Sequence, residues 1–270
     1  MIPCYRNDLA VNPFIDSTQS LTLEVKKISA ASYRGVTFST QPDKQSPHIS
    51  LTHCECALHV FCRDVASSLT DVLSAKPEFA GEIPALHIKV EPSRSKELGY
   101  TLRSLEGDEG VYTVVYGSDA YSMHSADAML ENSFDSDRVV LRCAVESAVA
   151  RAMKNSPHHI PPKVILLDII GEEETMKNWA YMTNDAVSYL VQDVGVEVIV
   201  VNTPSVDRES DGGQVSNHKI VFDQQRNNLV IELAKLTHLQ EGYGMAVLNV
   251  EPHDTYVDCG PSKLHFRPNV

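Results

Sequence analysis

The sequence predicts an α/β fold in which a mixed β-sheet core is flanked by helices, with residues 1–270 forming a single domain. Three observations support this prediction. Short β-branched runs recur along the chain and indicate strands, two longer segments have the apolar spacing of helices, and hydrophobic residues make up 43% of the sequence. With 22% charged residues, this composition is typical of a folded protein that buries a sizeable core.

The predicted strands are short runs rich in β-branched residues and bounded by turn residues. They cover residues 21–27, 35–39, 86–90, 111–116, 139–142, 164–168, 197–201 and 245–250. No internal repeat or long linker separates them, which favours one continuous core over two independent units.

Helical spacing is present in residues 144–154 and 183–194, and a third helix is predicted over residues 231–239. Gly195 directly follows the second helix and is expected to end it, because glycine readily adopts the left-handed conformation found there. The order of helix, glycine turn and apolar strand in residues 183–201 places the following residues at the carboxyl edge of a sheet. Loops at that edge commonly carry function.

Charge and hydropathy narrow the class of partner. The net charge of -13 argues against nucleic acid or an anionic membrane as the main partner, because phosphate binding needs clustered Lys and Arg. The first 27 residues do not resemble a signal peptide, and no run of about 18 apolar residues occurs, so we expect a cytoplasmic location.

The six cysteines are too sparse for a disulfide scaffold, and we expect most of them to be reduced and buried.

The first candidate site is the segment His-Cys-Glu-Cys-Ala-Leu-His at residues 53–59. On an extended segment His53, Glu55 and His59 share one side, whereas Cys54 and Cys56 point to the other side and are expected in the core. Imidazole nitrogen and carboxylate oxygen together suit zinc or manganese. These seven residues also fit a strand whose polar side chains bind nothing, and the segment alone leaves both readings open.

A second segment reads Val-Val-Asn-Thr-Pro-Ser-Val-Asp over residues 200–207 and is followed by His218 and Glu232. It resembles the C-terminal half of the metal-dependent cyclase family, which includes the kynurenine formamidases (arylformamidases). In that family an apolar strand ends in a Thr-Pro-Ser-Val-Asp turn, a loop leads to a metal-binding His, and a Glu at a strand-to-helix junction completes the site. Residues 203–207 match this turn letter for letter.

The N-terminal motif of the family, His-x-Gly-Thr-His-x-Asp-x-x-x-His, can be laid on residues 49–59 without a gap. By this resemblance His53 takes the place of the second His, and Glu55 that of an Asp able to bridge two metals. His59 takes the place of the last His, which acts as acid and base rather than as a ligand. Two positions depart from the motif, because Ile49 replaces the first His, with His48 one residue out of register, and Leu51 replaces the Gly.

The resemblance implies a cyclase-like fold of the swivelling β/β/α type and a metal-dependent hydrolase. Such an enzyme hydrolyses a linear or cyclic amide, as an aryl-formamidase or cyclic amidase, through a metal-activated water. It further implies His53, Glu55, His218 and Glu232 as ligands of one or two divalent ions, with zinc preferred and manganese possible, and His59 as the catalytic residue. The implied substrate is a small-molecule amide, and the implied assembly is a homo-oligomer, a dimer or a tetramer.

Two alternatives remain at the level of sequence. Ile49 and Leu51 suggest a family fold whose metal site has decayed and which serves as a binding or assembly protein. An unrelated α/β protein is the other alternative. Residues 94–136 carry no letters of the family motifs, and substrate-facing insertions are expected there if the resemblance holds.

Overall fold

The computed structural model of the protein describes most of the chain. The described residues are 31–33, 36–38, 52–61, 66–104, 110–124, 134–154, 160–172, 177–222, 227–250 and 259–268. The strands, in chain order, are β1 Ala31–Tyr33, β2 Val36–Phe38, β3 His53–Glu55, β4 Glu82–Val90, β5 Ser93–Arg94, β6 Thr101–Ser104, β7 Val111–Tyr116, β8 Asp119–His124, β9 Arg138–Val140, β10 Val164–Ile169, β11 Tyr181–Met182, β12 Val198–Val201, β13 Leu229–Glu232, β14 Gly242–Val250 and β15 Cys259–Pro268. The α-helices are α1 Leu69–Ala75, α2 Ser95–Leu98, α3 Arg142–Met153, α4 Asn184–Ser188 and α5 Ser216–Val221.

The central sheet closes into a barrel in the order β10-β12-β13-β3-β15-β14-β4. Strands β4, β10, β12 and β13 run parallel to their neighbours in this group, whereas β3, β14 and β15 join the barrel antiparallel. Helices pack on this mixed sheet, so the predicted fold class is confirmed. The assignment of all 270 residues to one domain stays a prediction.

Two apolar cores follow from the alternation of side chains along the barrel strands. Ile165 in β10 and Ile199 in β12 point outward and pack with Val145 of α3 and Val187 of α4. The intervening residues of the same strands pack with side chains of β14 and β15 in a second core inside the barrel. Both faces of β10 and β12 are therefore buried, which explains the apolar runs at residues 164–167 and 198–201.

A separate three-stranded antiparallel sheet, β6-β7-β8, stands beside the barrel and has its own small core of aromatic residues. Its last strand is attached to the start of α4 by two hydrogen bonds. The amide of Ala120 donates to Asp185 Oδ2 at 2.7 Å, and the amide of Ser122 donates to Asn184 Oδ1 at 2.7 Å. Residues of the unmatched segment 94–136 thus contact the helix that leads into β12.

Most of the predicted elements agree with the structure, and two do not. The predicted helix 231–239 is wrong, because Leu229–Glu232 form β13 between β12 and β3, and Leu233 then turns with φ 57°. The predicted strand 139–142 is too long: β9 ends at Val140 and α3 begins at Arg142, whose amide donates to Asp119 Oδ2. The predicted strand 21–27 lies outside the described residues.

Both other helix predictions are confirmed with small changes of boundary. Residues 144–154 correspond to α3, and residues 183–194 to α4 followed by a π-helical turn at Tyr189–Val194. The Thr183 hydroxyl caps α4 by accepting from the amide of Ala186 at 3.2 Å. Gly195 ends the π-helical turn in the left-handed conformation with φ 82°, as predicted.

The cysteines follow the prediction in part. Cys54 and Cys56 are free thiols buried in the core inside the barrel. Burial raises the pKa of the Cys54 thiol well above its ordinary value. Cys143 is free but exposed on α3, and Cys259 is buried but disulfide-bonded, so each of these two departs from the expectation in one respect. Within the described part of the chain, every helix is too short or too polar to span a bilayer.

Candidate metal centre

Three of the predicted ligands meet where β3 pairs with β13. The antiparallel register places Glu232 directly opposite His53 and Val230 opposite Glu55. All three predicted ligands are buried, and one ligand atom from each lies within 4.8 Å of the other two, so His53, Glu55 and Glu232 form a group that could hold a metal ion. Strand pairing therefore brings together side chains that are far apart in the sequence.

The fourth predicted ligand, His218, approaches from α5 on the other side of the two glutamates. His53 Nε2 lies 3.0 Å from Glu55 Oε1 and 3.4 Å from Glu232 Oε2. His218 Nε2 lies 2.9 Å from Glu55 Oε2 and 3.3 Å from Glu232 Oε1. Each carboxylate thus turns one oxygen to each imidazole.

The predicted catalytic residue, His59, lies at the same cluster, but on a backbone conformation different from the one expected. The extended segment ends at Glu55, and residues 57–59 form a 3₁₀ turn, so the alternation assumed for the whole segment is wrong beyond residue 55. The turn nevertheless leaves His59 Nε2 at 3.6 Å from Glu55 Oε1. The His59 side chain is 12% exposed, compared with 4% or less for the four predicted ligands.

The Thr-Pro-Ser-Val-Asp turn follows β12 at the carboxyl edge of the parallel strands. The Thr203 hydroxyl donates to the carbonyl of Ser205, and the Ser205 hydroxyl accepts from the amide of Asp207. This shape directs the amide of Val206 to Glu232 Oε1 at 3.1 Å. One function of the turn is therefore to fix the carboxylate of Glu232 in the cluster.

Asp207, the last residue of that turn, has a role that the motif alone did not reveal. Its Oδ2 lies 2.5 Å from His218 Nδ1 and accepts from the His218 amide at 3.2 Å. Its Oδ1 accepts from the Asn217 amide and the Tyr121 hydroxyl, each at 2.8 Å. A hydrogen bond to Nδ1 directs the opposite nitrogen of the ring to a metal, an arrangement common among metal-binding histidines.

The pKa values of His53 and His218 are raised above the ordinary value for histidine. Burial alone would lower the pKa of His53, but hydrogen bonds to Glu232 and Glu55 outweigh it and raise the pKa to about 10. Burial also opposes protonation of His218, yet its hydrogen bonds to Asp207, Glu232 and Glu55 raise its pKa well above the ordinary value. In the absence of a cation, protonated imidazoles therefore supply the positive charge that balances these buried carboxylates.

This shift predicts that the metal-free protein loses stability in alkaline solution. Because the pKa of folded His53 lies above its ordinary value of 6.5, its stabilising contribution is complete below about pH 6.5 and is lost as the pH rises to about 10. We expect the free energy of unfolding, measured by urea titration in the presence of chelator, to fall over this range. In the His53→Gln variant the slope should be shallower by up to about 1.4 kcal/mol per pH unit. Equal slopes in the two proteins would contradict the shift.

The donor set suits a divalent metal. Two imidazole nitrogens with carboxylate oxygens are typical ligands of zinc, and of manganese where oxygen donors predominate. A bound cation would compete with protons for His53 and His218, because metal binding requires neutral imidazoles. Ile49, Leu51 and His48 lie outside the described residues.

Comparison with known proteins gives a structural likeness only. No protein-family model matches the sequence, and no curated protein matches it either. One solved structure, a potential metal-dependent hydrolase with cyclase activity, is 13% identical over 88% of this chain and 94% of its own, with a TM-score of 0.50. An isatin hydrolase bound to the product analogue thioisatinate is 12% identical over 82% of this chain and 73% of its own (TM-score 0.49). A predicted metal-dependent hydrolase from Bacillus stearothermophilus is 12% identical over 88% of this chain and 84% of its own (TM-score 0.47). The first of these likenesses shows that the chain adopts the fold of a potential metal-dependent hydrolase with cyclase activity.

Proposed function

We propose that this protein is a metal-dependent hydrolase that cleaves the C–N bond of a linear or cyclic amide. The observation that carries the proposal is the convergence of two buried imidazoles on two buried carboxylates. Each carboxylate has one oxygen near His53 and the other near His218. The fold supports it, because the solved structure with that fold is described as a potential metal-dependent hydrolase with cyclase activity. The resemblance of residues 200–207 to the cyclase family points to the same chemistry.

In this proposal His53, Glu55, His218 and Glu232 hold the metal, with zinc preferred and manganese as the alternative. A bound divalent cation lowers the pKa of a coordinated water and polarises an amide carbonyl. The protein supplies the geometry for this chemistry. Strand pairing sets His53 against Glu232, and Asp207 orients the ring of His218.

His59 is the residue we assign to proton transfer. Amide hydrolysis needs a group that accepts a proton from the attacking water and delivers one to the departing nitrogen. His59 Nε2 lies at the edge of the cluster, 3.6 Å from Glu55 Oε1, and its side chain is the most exposed of the five. It can therefore meet a substrate that enters from solvent while the four ligands stay buried.

A second candidate function is that of a binding or assembly protein with the same fold and no hydrolase activity. It is favoured by Ile49 and Leu51, which stand where the family motif has a metal-binding His and a Gly. The two candidates differ in what they require of the cluster, because only a hydrolase needs both the metal and a proton-transfer group.

The first experiment is metal analysis of protein purified without chelator, followed by titration of the stripped protein with zinc and with manganese. We expect one or two equivalents of metal to bind. We also expect the loaded protein to hydrolyse at least one member of a panel of formanilides and cyclic amides. Stripped protein is the matched control and should be inactive on the same panel.

The outcomes separate the two candidates. Protein that carries no metal and fails to bind either added ion would contradict the hydrolase proposal. Protein that binds metal but leaves the whole panel intact would favour the binding or assembly function.

A further inference from the structure

The candidate metal centre has a support outside the elements that supply its ligands. Tyr121 lies in β8, the last strand of the separate three-stranded sheet, and its side chain is completely buried. Its hydroxyl donates to Asp207 Oδ1 at 2.8 Å. Asp207 in turn lies 2.5 Å from His218 Nδ1. A chain of two side-chain hydrogen bonds thus connects this sheet to His218.

Within the described part of the chain, the Asp207 carboxylate takes part in four hydrogen bonds, of which three come from α5 and one comes from the sheet β6-β7-β8. Three donors belong to the first turn of α5, namely the amides of Asn217 and His218 and the ring of His218. These three would move together with α5 if the helix shifted. The Tyr121 hydroxyl is the donor that fixes the carboxylate relative to a different part of the protein.

The Tyr121 hydroxyl is itself held in place from several directions. It accepts from the amide of Arg208 at 3.0 Å, and it lies 3.3 Å from Asp211 Oδ2. The ring packs against Tyr181, with 4.8 Å between the ring centroids. Because a phenol has a single proton, the shorter distance assigns that proton to Asp207. The hydroxyl is therefore preorganised to orient the carboxylate.

We propose that Tyr121 is a positioning residue for the metal centre, acting through Asp207 to hold the ring of His218 against Glu55 and Glu232. This inference rests on the proposed metal site and adds a residue from outside the two segments that resemble the cyclase family. It also gives a function to the sheet β6-β7-β8, which fixes one end of the hydrogen-bond chain. Substitution of residues that hydrogen-bond to metal ligands commonly lowers metal affinity by about 10- to 100-fold.

The test is zinc affinity, measured by competition with a chromophoric chelator. Tyr121→Phe keeps the ring and removes only the hydroxyl, and we expect the dissociation constant for zinc to rise about tenfold. Tyr116→Phe is the matched control. Tyr116 belongs to the same aromatic core, and its hydroxyl bonds to the Tyr181 hydroxyl at 2.7 Å. The Tyr116→Phe variant therefore loses a buried hydrogen bond whose partner is not Asp207. Its zinc affinity should stay within about twofold of wild type, because it lies outside the chain of bonds to His218.

A double-mutant cycle tests the route. If Tyr121 acts through Asp207, the double variant Tyr121→Phe/Asp207→Asn should bind zinc no more weakly than Asp207→Asn alone. Melting temperatures of the metal-free Tyr121→Phe and Tyr116→Phe proteins should fall by similar amounts, which separates positioning from general loss of stability.

Three results would overturn the inference, and they have different meanings. Equal zinc affinities of Tyr121→Phe and Tyr116→Phe would remove the positioning role. Independent effects of Tyr121→Phe and Asp207→Asn that multiply in the double variant would exclude the route through Asp207. Failure of wild-type protein to bind zinc or manganese would overturn the proposed function itself, and this inference with it.

Discussion

Substitution of Glu232 by Gln is expected to weaken metal binding by on the order of 100-fold or more. The amide has nearly the shape of the carboxylate, and its oxygen can still accept from the amide of Val206. The variant therefore keeps the fold but loses a negative charge and places an N–H donor where His53 Nε2 meets Glu232 Oε2. Loss of a direct ligand should exceed the 10- to 100-fold cost typical of residues that only orient ligands. Isothermal titration with zinc at fixed pH measures the effect.

Glu172→Gln is the matched control for this experiment. Glu172 is equally buried, but it pairs with Arg138 and accepts from the amide of Ala180, away from the cluster. The control should lose stability while its metal affinity stays within about twofold of wild type, because it supplies no ligand. A Glu232→Gln protein that binds zinc as tightly as this control would remove Glu232 from the ligand set.

Substitution of His59 by Ala is expected to leave metal content unchanged and to lower turnover of the best amide substrate by about 100- to 10,000-fold. The reason is the position of the side chain at the accessible edge of the cluster, 3.6 Å from Glu55 Oε1, where it is suited to move protons. The measurements are metal content and the steady-state rate at saturating substrate, compared in the same preparation.

His238→Ala serves as the control, because His238 is an exposed histidine in the turn that follows β13. Its rate should equal that of wild type. Loss of metal from His59→Ala would show that His59 is a ligand and not a proton shuttle. Full activity in His59→Ala would exclude it from the reaction.

The sequence predicted the members of the cluster better than it predicted how they meet. The motif positions indicate His53, Glu55, His218 and Glu232. The pairing of β3 with β13 explains why His53, Glu55 and Glu232 lie close together, whereas His218 reaches them from α5. The prediction for His59 assumed an extended strand, whereas a 3₁₀ turn begins two residues after Glu55. Local spacing could not show this, because the turn depends on how the segment packs against the rest of the molecule.

The orienting residues could be predicted only in part. Asp207 is visible as the last letter of a recognisable turn, although its contact with His218 is not. Tyr121 carries no such signal, since it lies in a segment without family letters and acts across a distance of 86 residues, from position 121 to position 207. Contacts of this kind follow from tertiary packing, which neither periodicity nor motif spacing encodes.

Tertiary context also explains the errors in the fold. The apolar run near residue 231 fits a helix or a strand, and only its position between β12 and β3 decides for a strand. By contrast, the sequence predicts β10 and β12 well, because the apolar runs at residues 164–167 and 198–201 are typical of strands that are buried on both faces.

The place of β3 in the barrel links metal binding to the completion of folding. This early segment of the chain lies between β13 and β15, so the barrel closes only when β3 has paired with these two late strands. Contacts between such distant segments tend to form slowly, because a long loop must first be ordered. A chain in which β3 has not yet paired with β13 has His53 but no Glu232 opposite it, so the ability to retain a cation depends on a contact between segments that are far apart in the sequence.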